Sequence, residues 1–401
     1  MKRRDVGNGG LLWVLVLGAC AGAEAGPSAA VRDSAGVTIV ENPAALAERE
    51  AWTVAAEPTV AIGVLEGDER YQFSRVGSGV RLSDGRIVVA NGGTHELRYY
   101  DASGAHLVSV GRQGEGPGEF QGLELITALP GDSLAAYDFN LRRISFFDSS
   151  GAFVRSVLLD FTEGYPSPVG RFADGSWLSS RGFTFSPGDD GSDVIRDTVP
   201  LMVFGADGAL RDTAGVFPGV EVYLQSEGGA AWASSLPFGR TTEAAVSGSR
   251  FYAGHTERYE IARYTPEGAP ELIIRLGRAA VPVGDVDVNR LKAERLENAN
   301  PTWRQRTERM FADMPLPGTF PAFGDLMADP DGHLWVLDYP RPGEDARRWT
   351  VFSSEGRALG FVATPPGLRV LEIGRDHVLG VWLDDLDVEH VRLYRLEREE
   401  L

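Results

Sequence analysis

A β-rich unit returns six times along this chain. Each copy runs a short apolar strand, a tight turn, an alternating strand, a polar loop, a strand ending on aromatic-Asp, a Gly-containing turn and a last strand. The clearest copies are "RLSDGRIVVANGGTHELRYYDASGAHLVSV" from Arg81 and "ALPGDSLAAYDFNLRRISFFDSSGAFVRSV" from Ala128. First turns fall at Asp84-Gly85, Gly131-Asp132, Asp174-Gly175, Ser247-Gly248, Asp331-Gly332 and Arg375-Asp376, so intervals of 47, 43 and 44 residues separate the first copy from the second, the second from the third and the fifth from the sixth. That spacing is the length of a four-stranded propeller blade. The other two intervals are longer because each holds an insertion. Glycine suits the turns because it takes positive φ without a Cβ penalty. Strands such as "HELRYYD" and "RRISFFD" alternate apolar and polar residues, as sheets stacked face to face require. The expectation is an all-β, six-bladed β-propeller with four-stranded blades.

The sixth copy ends at the C-terminus without its outer strand, and "WTVAAEPTVAIG", residues 52–63, is a strand without a partner of its own. It is expected to complete the sixth blade, closing the ring and removing open edges that invite aggregation. "GVTIVEN", 36–42, is expected to add a further outer strand.

The stretch "GRQGEGPGEF", 111–120, looks at first like a phosphate-cradling loop. It lacks both the Lys-Ser/Thr of a P-loop and the Gly-x-Gly-x-x-Gly spacing, and no helical run follows it. It resembles instead the inter-blade segment of NHL-type six-bladed propellers. The following "AYDFNLRRISFFDSSG" is similar to that family's Asp-x-x-x-x-Arg-Ile-x-x-Phe-Asp-x-x-Gly pattern, and "DGHLWVLD" at 331–338 is a later echo. The resemblance is good over residues 79–160 and thins elsewhere. It implies a structural loop with Phe120 plugging the space between two blades.

The N-terminus reads as an export signal: basic "MKRR", apolar "LLWVLVLG" and small residues before Cys20. "LGAC" resembles the bacterial lipobox, which implies cleavage before Cys20, lipid on its thiol and display at a bacterial envelope membrane. Cys20 is the only cysteine, which excludes intramolecular disulfides. The organisation expected is a signal peptide over 1–19, a flexible tether over 20–35 and the propeller over 36–401. A net charge of -18 argues against nucleic acid, whose binding depends on Lys and Arg neutralising phosphates.

Two segments depart from the repeat. "FTFSPGDDGSDVIRDTVP" lengthens a loop in the third copy, and its Asp189, Asp190 and Asp193 lack the register of an EF-type calcium loop. Residues 284–315 are the one convincing helical stretch. Asp285 is expected to cap a first helix, Asn300-Pro301 is a cap and first-turn signal for a second, and Trp303, Thr307, Met310 and Met314 form a stripe that packs the helical hairpin against the propeller.

Loops where blades converge can each present one side chain to a central mouth. The ends of the six second strands carry Asn91, Asp138, Arg181, His255, Asp338 and Asp384. These are the candidate ligand-binding residues. A structural role, capping strand ends and satisfying loop N–H groups, is the competing reading for such residues. The six histidines are too scattered for a zinc site, whereas Asp138, Asp338 and Asp384 are the candidate oxygen ligands should calcium bind. No Gly-x-Ser-x-Gly elbow occurs. Two functions stay open: a monomeric, cofactor-free module binding a protein, peptide or glycan, and a calcium-dependent, lactonase-like hydrolase or lyase.

Overall fold

In the computed structural model, residues 28–160, 162, 164–181, 193–227, 230–297 and 301–398 are described. Each repeat folds into its own antiparallel sheet, and there are six. Blade one comprises Val76–Arg81, Ile87–Asn91, Glu96–Tyr100 and His106–Val110. Blade two comprises Leu123–Ala128, Leu134–Asp138, Arg143–Phe147 and Phe153–Leu158. All six expected first turns join a first strand to a second. Gly85, Gly175 and Gly332 take φ of 90°, 93° and 85° there, a conformation that favours glycine. The aromatic-Asp signature has a direct cause. Asp101 accepts from the N–H groups of Ser103 and Ala105, and Asp148 does the same for Ser150 and Ala152, folding the last turn of each blade.

First strands of successive blades touch from blade six through blades one, two, three and four to blade five, and so form the inner ring. Second strands are the most buried: every residue of Ile87–Asn91 and Leu134–Asp138 is inside. Between blades one and two the core joins Tyr99 and Val80 to Ile126 and Phe147 around Phe120, which has no exposed surface. The segment 111–120 is therefore an inter-blade plug. A Cβ on Gly111 would stand 2.7 Å from the Phe120 ring, and Arg143 donates to the carbonyls of Glu115, Gly116 and Glu119.

Blade six is Arg369–Ile373, His377–Leu383 and Glu389–Glu397, completed by the N-terminal strands Val60–Ile62 and Thr53–Val54. The ring closes as expected. The further outer strand, Val37–Pro43, forms as well, on blade four: it runs parallel to Pro270–Gly277, the fourth strand there. Ala30–Ser34 pairs with it in turn, so the tether expected over 20–35 gives way to strand by residue 30. Blade four thus has six strands and blades three and six have five, not the uniform four of the repeat. Asn42 explains why an outer strand sits here. It is buried, donates to the carbonyls of Arg275 and Gly356 and accepts from the Ala358 N–H, tying blade four to blade five.

The third-blade loop is also shorter than expected. Asp193–Phe204 and Leu210–Glu227 form one long hairpin beyond the blade, and Ala230–Ser235 adds a fifth strand. Asp189 and Asp190 lie outside the described residues, as do Cys20 and the signal segment. The insertion forms two helices, Asp285–Glu297 and Pro301–Asp313. Asp285 is the first helical residue rather than the cap. Gly284 precedes it, its carbonyl accepts from Val288, and Asp287 reaches back to its N–H. Met310 and Met314 pack on Tyr223 and Leu236 of the blade-three extension, while Arg290 donates to the Pro342 carbonyl of blade five. The hairpin therefore spans blade four from one neighbour to the other. The side chain of Trp303 and residue Asn300 lie outside the described residues.

Candidate functional site

All six mouth positions stand at or just beyond the ends of second strands, and their partners differ. Asn91 is buried; its carbonyl accepts from the Ser74 N–H at 2.8 Å and its amide donates to Thr94. Asp138, also buried, accepts from the N–H groups of Gln121 at 2.7 Å, Gly122 at 3.1 Å and Leu141 at 2.8 Å. Both clamp the segment that brings the chain into its own blade. Asp384 accepts from Leu386 and Val388 N–H groups and lies 3.1 Å from His390, folding its own loop. Arg181 donates to the Thr198 carbonyl. His255 is mostly buried, with Nε2 lacking a protein partner; burial, and then the charge of Arg196, lower its pKa and keep it neutral. These positions lie on one face of the ring, and among the described residues no three of their His or carboxylate ligand atoms come within 4.8 Å of one another. Among the described residues the one trio of metal-type ligand atoms within 4.8 Å of each other is Asp329, Asp331 and His333. That trio sits at the opposite-face turn of blade five and already receives Arg398 and Arg375.

Asp338 is the exception. It lines a pocket of about 900 Å³ between blades four and five, where the chain leaves for the helical hairpin and returns from it. The volume lies in the range of small-molecule sites. Asp338 Oδ1 accepts from Arg278 at 2.7 Å, and Arg348 Nε stands 3.7 Å from Oδ2. Arg348 also donates to Glu48 at 2.9 Å, and Arg278 Nη2 stands 3.6 Å from the same carboxylate. Burial disfavours the Arg278 charge, and Asp338 more than offsets this, leaving its pKa raised. Tyr259, 7% exposed, packs against Phe323 and Phe352, with the Arg278 guanidinium 5.7 Å over its ring. Its hydroxyl lies within reach of the Thr350 side chain, and burial, with the charge of Asp338, outweighs that contact and raises its pKa, so it stays protonated. Half-buried Tyr339 lies 5.8 Å from Phe320 and forms a flat aromatic wall. Exposed Arg258 stands at the pocket without an ion pair among the described residues.

Tyr259, Arg278, Arg348 and Glu48 went unnoticed in the sequence. Arg278 directly follows blade four's fourth strand and Glu48 belongs to the N-terminal segment, so no spacing unites them. A second group lies on the inner strands: Glu124, Glu243 and Asp325. Desolvation between the inner strands raises all three pKa values, although Glu124 and Asp325 keep exposed surface and Glu243 is half-buried; that of Glu243 reaches about 8, with the charge of Asp325 adding to the effect.

A family model described as a 6-bladed beta-propeller, DUF5128, matches residues 64–177. The sheets and the family description agree. No curated protein matches the sequence. Among solved structures, the chain is similar to a candidate exported protein from Bacteroides fragilis, at 13% identity and TM-score 0.48, covering 90% of this chain and 100% of that one. It is also similar to a duf4221-family member from Bacteroides vulgatus, at 10% identity and TM-score 0.49, covering 87% and 99%. A Xanthomonas campestris gluconolactonase matches at 12% identity and TM-score 0.40, covering 88% of each chain.

Proposed function

We propose that this protein is an exported binding module, lipid-anchored through Cys20, whose ligand occupies the pocket between blades four and five. The observation that carries the reading is the division of labour at the mouth. Asn91, Asp138 and Asp384 spend their polar atoms on backbone and loop, while Asp338 stands in the wall of a pocket of about 900 Å³ that also carries the half-buried Tyr339 ring and exposed Arg258. A concave site of that size with an apolar wall and a few polar groups has the form of a small-molecule site. Calcium is not required by this reading, because Asp338 is neutralised by Arg278 and Asp138 by backbone N–H groups.

The purified protein is to be screened against peptide and glycan arrays beside an Arg278→Ala, Tyr339→Ala double variant. The expected result is a ligand bound by the parent and lost by the variant. Calcium-dependent turnover of lactones or aryl esters, abolished by Asp338→Asn, would replace the binding reading with a hydrolase. Anchoring is tested separately: an alkyne fatty-acid label is expected on the parent in bacterial cells and absent from Cys20→Ala.

A further inference from the structure

We infer that His377 makes the seam between blades six and one pH-sensitive: protonated, its ring holds the two carboxylates that grip blade one, and on losing the proton it releases one of them. The device stands apart from the pocket between blades four and five and does not depend on what that pocket binds.

The ring of blades closes at this seam, where the N-terminal strand Val60–Ile62 completes blade six and the inner strands of blades six and one meet. His377 opens the second strand of blade six and is 9% exposed. Its Nδ1 lies 2.9 Å from Asp376 Oδ1 and its Nε2 lies 3.3 Å from Glu372 Oε2. Both carboxylates also serve blade one: Glu372 Oε2 accepts from the Arg81 N–H at 2.7 Å, and Asp376 Oδ1 accepts from Arg81 Nη1 at 3.0 Å. The imidazole packs on Gly374, where a Cβ would stand 2.0 Å from its Cε1, and the Gly374 carbonyl is itself held by Arg398 at 2.7 Å. Packing therefore keeps the two ring nitrogens on their carboxylates. A cavity of about 470 Å³, lined by Thr59 and Val60 of the closing segment, Arg81 of blade one, and Asp376, His377 and Arg395 of blade six, gives solvent access to the cluster.

An imidazolium donates through both nitrogens, whereas the neutral ring donates through one and turns a lone pair outward at the other. Carboxylates at both nitrogens are satisfied together only by the charged ring. Glu372 is tied to the Arg81 backbone, while the Asp376 side chain is 71% exposed and free to leave. In the neutral ring Nε2 keeps its proton for Glu372, and Nδ1 accepts from Arg81 Nη1, 3.2 Å away, in place of Asp376. Burial disfavours the charged ring, but the hydrogen bonds to Glu372 and Asp376 outweigh it and raise the His377 pKa above the ordinary 6.5; the bond from His377 in turn lowers the pKa of Asp376. The other ionisable groups on the cavity wall are Tyr394 and Arg395, the latter 3.4 Å from Glu397, and the closing segment adds none. The contribution of His377 to the seam is thus complete below the ordinary 6.5 and is lost as pH rises through the raised value.

The test is amide hydrogen exchange of the whole purified protein, followed peptide by peptide by mass spectrometry at about pH 6 and about pH 9, with rates corrected for intrinsic chemistry. Opening of Val60–Ile62 and Val76–Arg81 is expected to rise about tenfold more over that range than opening of Leu134–Asp138 in blade two, which reports the whole fold. His377→Gln, which donates at every pH and never carries charge, is expected to remove that excess. A histidine with only a packing role would show no excess in the parent, and its variant would loosen the seam alike at both pH values. In NMR spectra the imidazole signal that the variant lacks is expected to titrate above 6.5 in the parent. Titration at or below that value would overturn the proposal. Equal opening of the seam and of blade two in the parent would overturn it as well, and that comparison needs no variant to fold.

Discussion

Asp138 accepts hydrogen bonds from three backbone N–H groups in two separate stretches of chain, and with no surface exposed it has no water to fall back on. Asp138→Ala leaves those N–H groups unsatisfied and is expected to cost about 3 kcal/mol, read as a lower urea midpoint with unchanged slope. Glu243 makes the opposite kind of contribution. Half-buried beside Asp325 on the inner strands, it holds its proton to about 8, whereas in the unfolded chain it ionises near the ordinary 4.5. Between those values the folded state binds the extra proton, so this group's contribution to stability falls as pH rises from about 4.5 to about 8 and is not regained above. Glu243→Gln is expected to flatten that slope and to raise stability at pH 8 by on the order of 2 kcal/mol, measured by chemical denaturation across the range.

At the scale of elements, the closing strands decide the fate of the ring. Thr59 and Val60–Ile62 bond to the third strand of blade six, which otherwise ends as a bare edge. A chain starting at residue 66 is expected to melt lower and to self-associate, seen by calorimetry and light scattering; a monomer of equal heat stability would overturn the closure argument. Asn42→Ala is expected to cost about 2 kcal/mol, because it strands two carbonyls and an N–H at the junction of blades four and five. The hairpins were readable in advance because their turns need glycine at positive φ and their aspartates fold the last turn, both local demands. The parallel docking of Val37–Pro43 was not. Its alternating pattern says that it is a strand, while the edge it joins depends on Asn42 meeting Gly356 and Ala358 across 314 and 316 positions. The long blade-three hairpin hid for a related reason, since strands projecting beyond a core lose the burial period that would reveal them.

In the whole molecule, the N-terminal segment at Trp52 is stitched to the residue that follows the last strand. Arg398 lies 4.6 Å over the Trp52 ring, pairs with the fully buried Asp329 at 2.9 Å and donates to the Gly374 carbonyl. Burial raises the Asp329 pKa, but hydrogen bonds from His333 and Trp335 and the charges of His333 and Arg398 outweigh it and leave it lowered. Removing Arg398 uncovers that carboxylate, so Arg398→Ala is expected to cost about 3 kcal/mol, against near-neutral effects for the exposed pair Arg211–Asp207. The candidate site belongs to this scale as well. Its members come from the N-terminal segment, two blades and the mouth of an insertion, so the mouth reasoning found Asp338 and none of its partners.

The outer strand of blade four has one more consequence, for the order of assembly. It is made early and pairs, Thr38 with Leu272, with a strand 234 positions later, and Thr59 waits 334 positions for Leu393. Blades one and two are built from neighbouring hairpins and need no such long-range partner within their own sheets. Long-range pairing of this kind slows folding and leaves apolar edges uncovered meanwhile. The price of a ring sealed by its own ends is that sealing comes last.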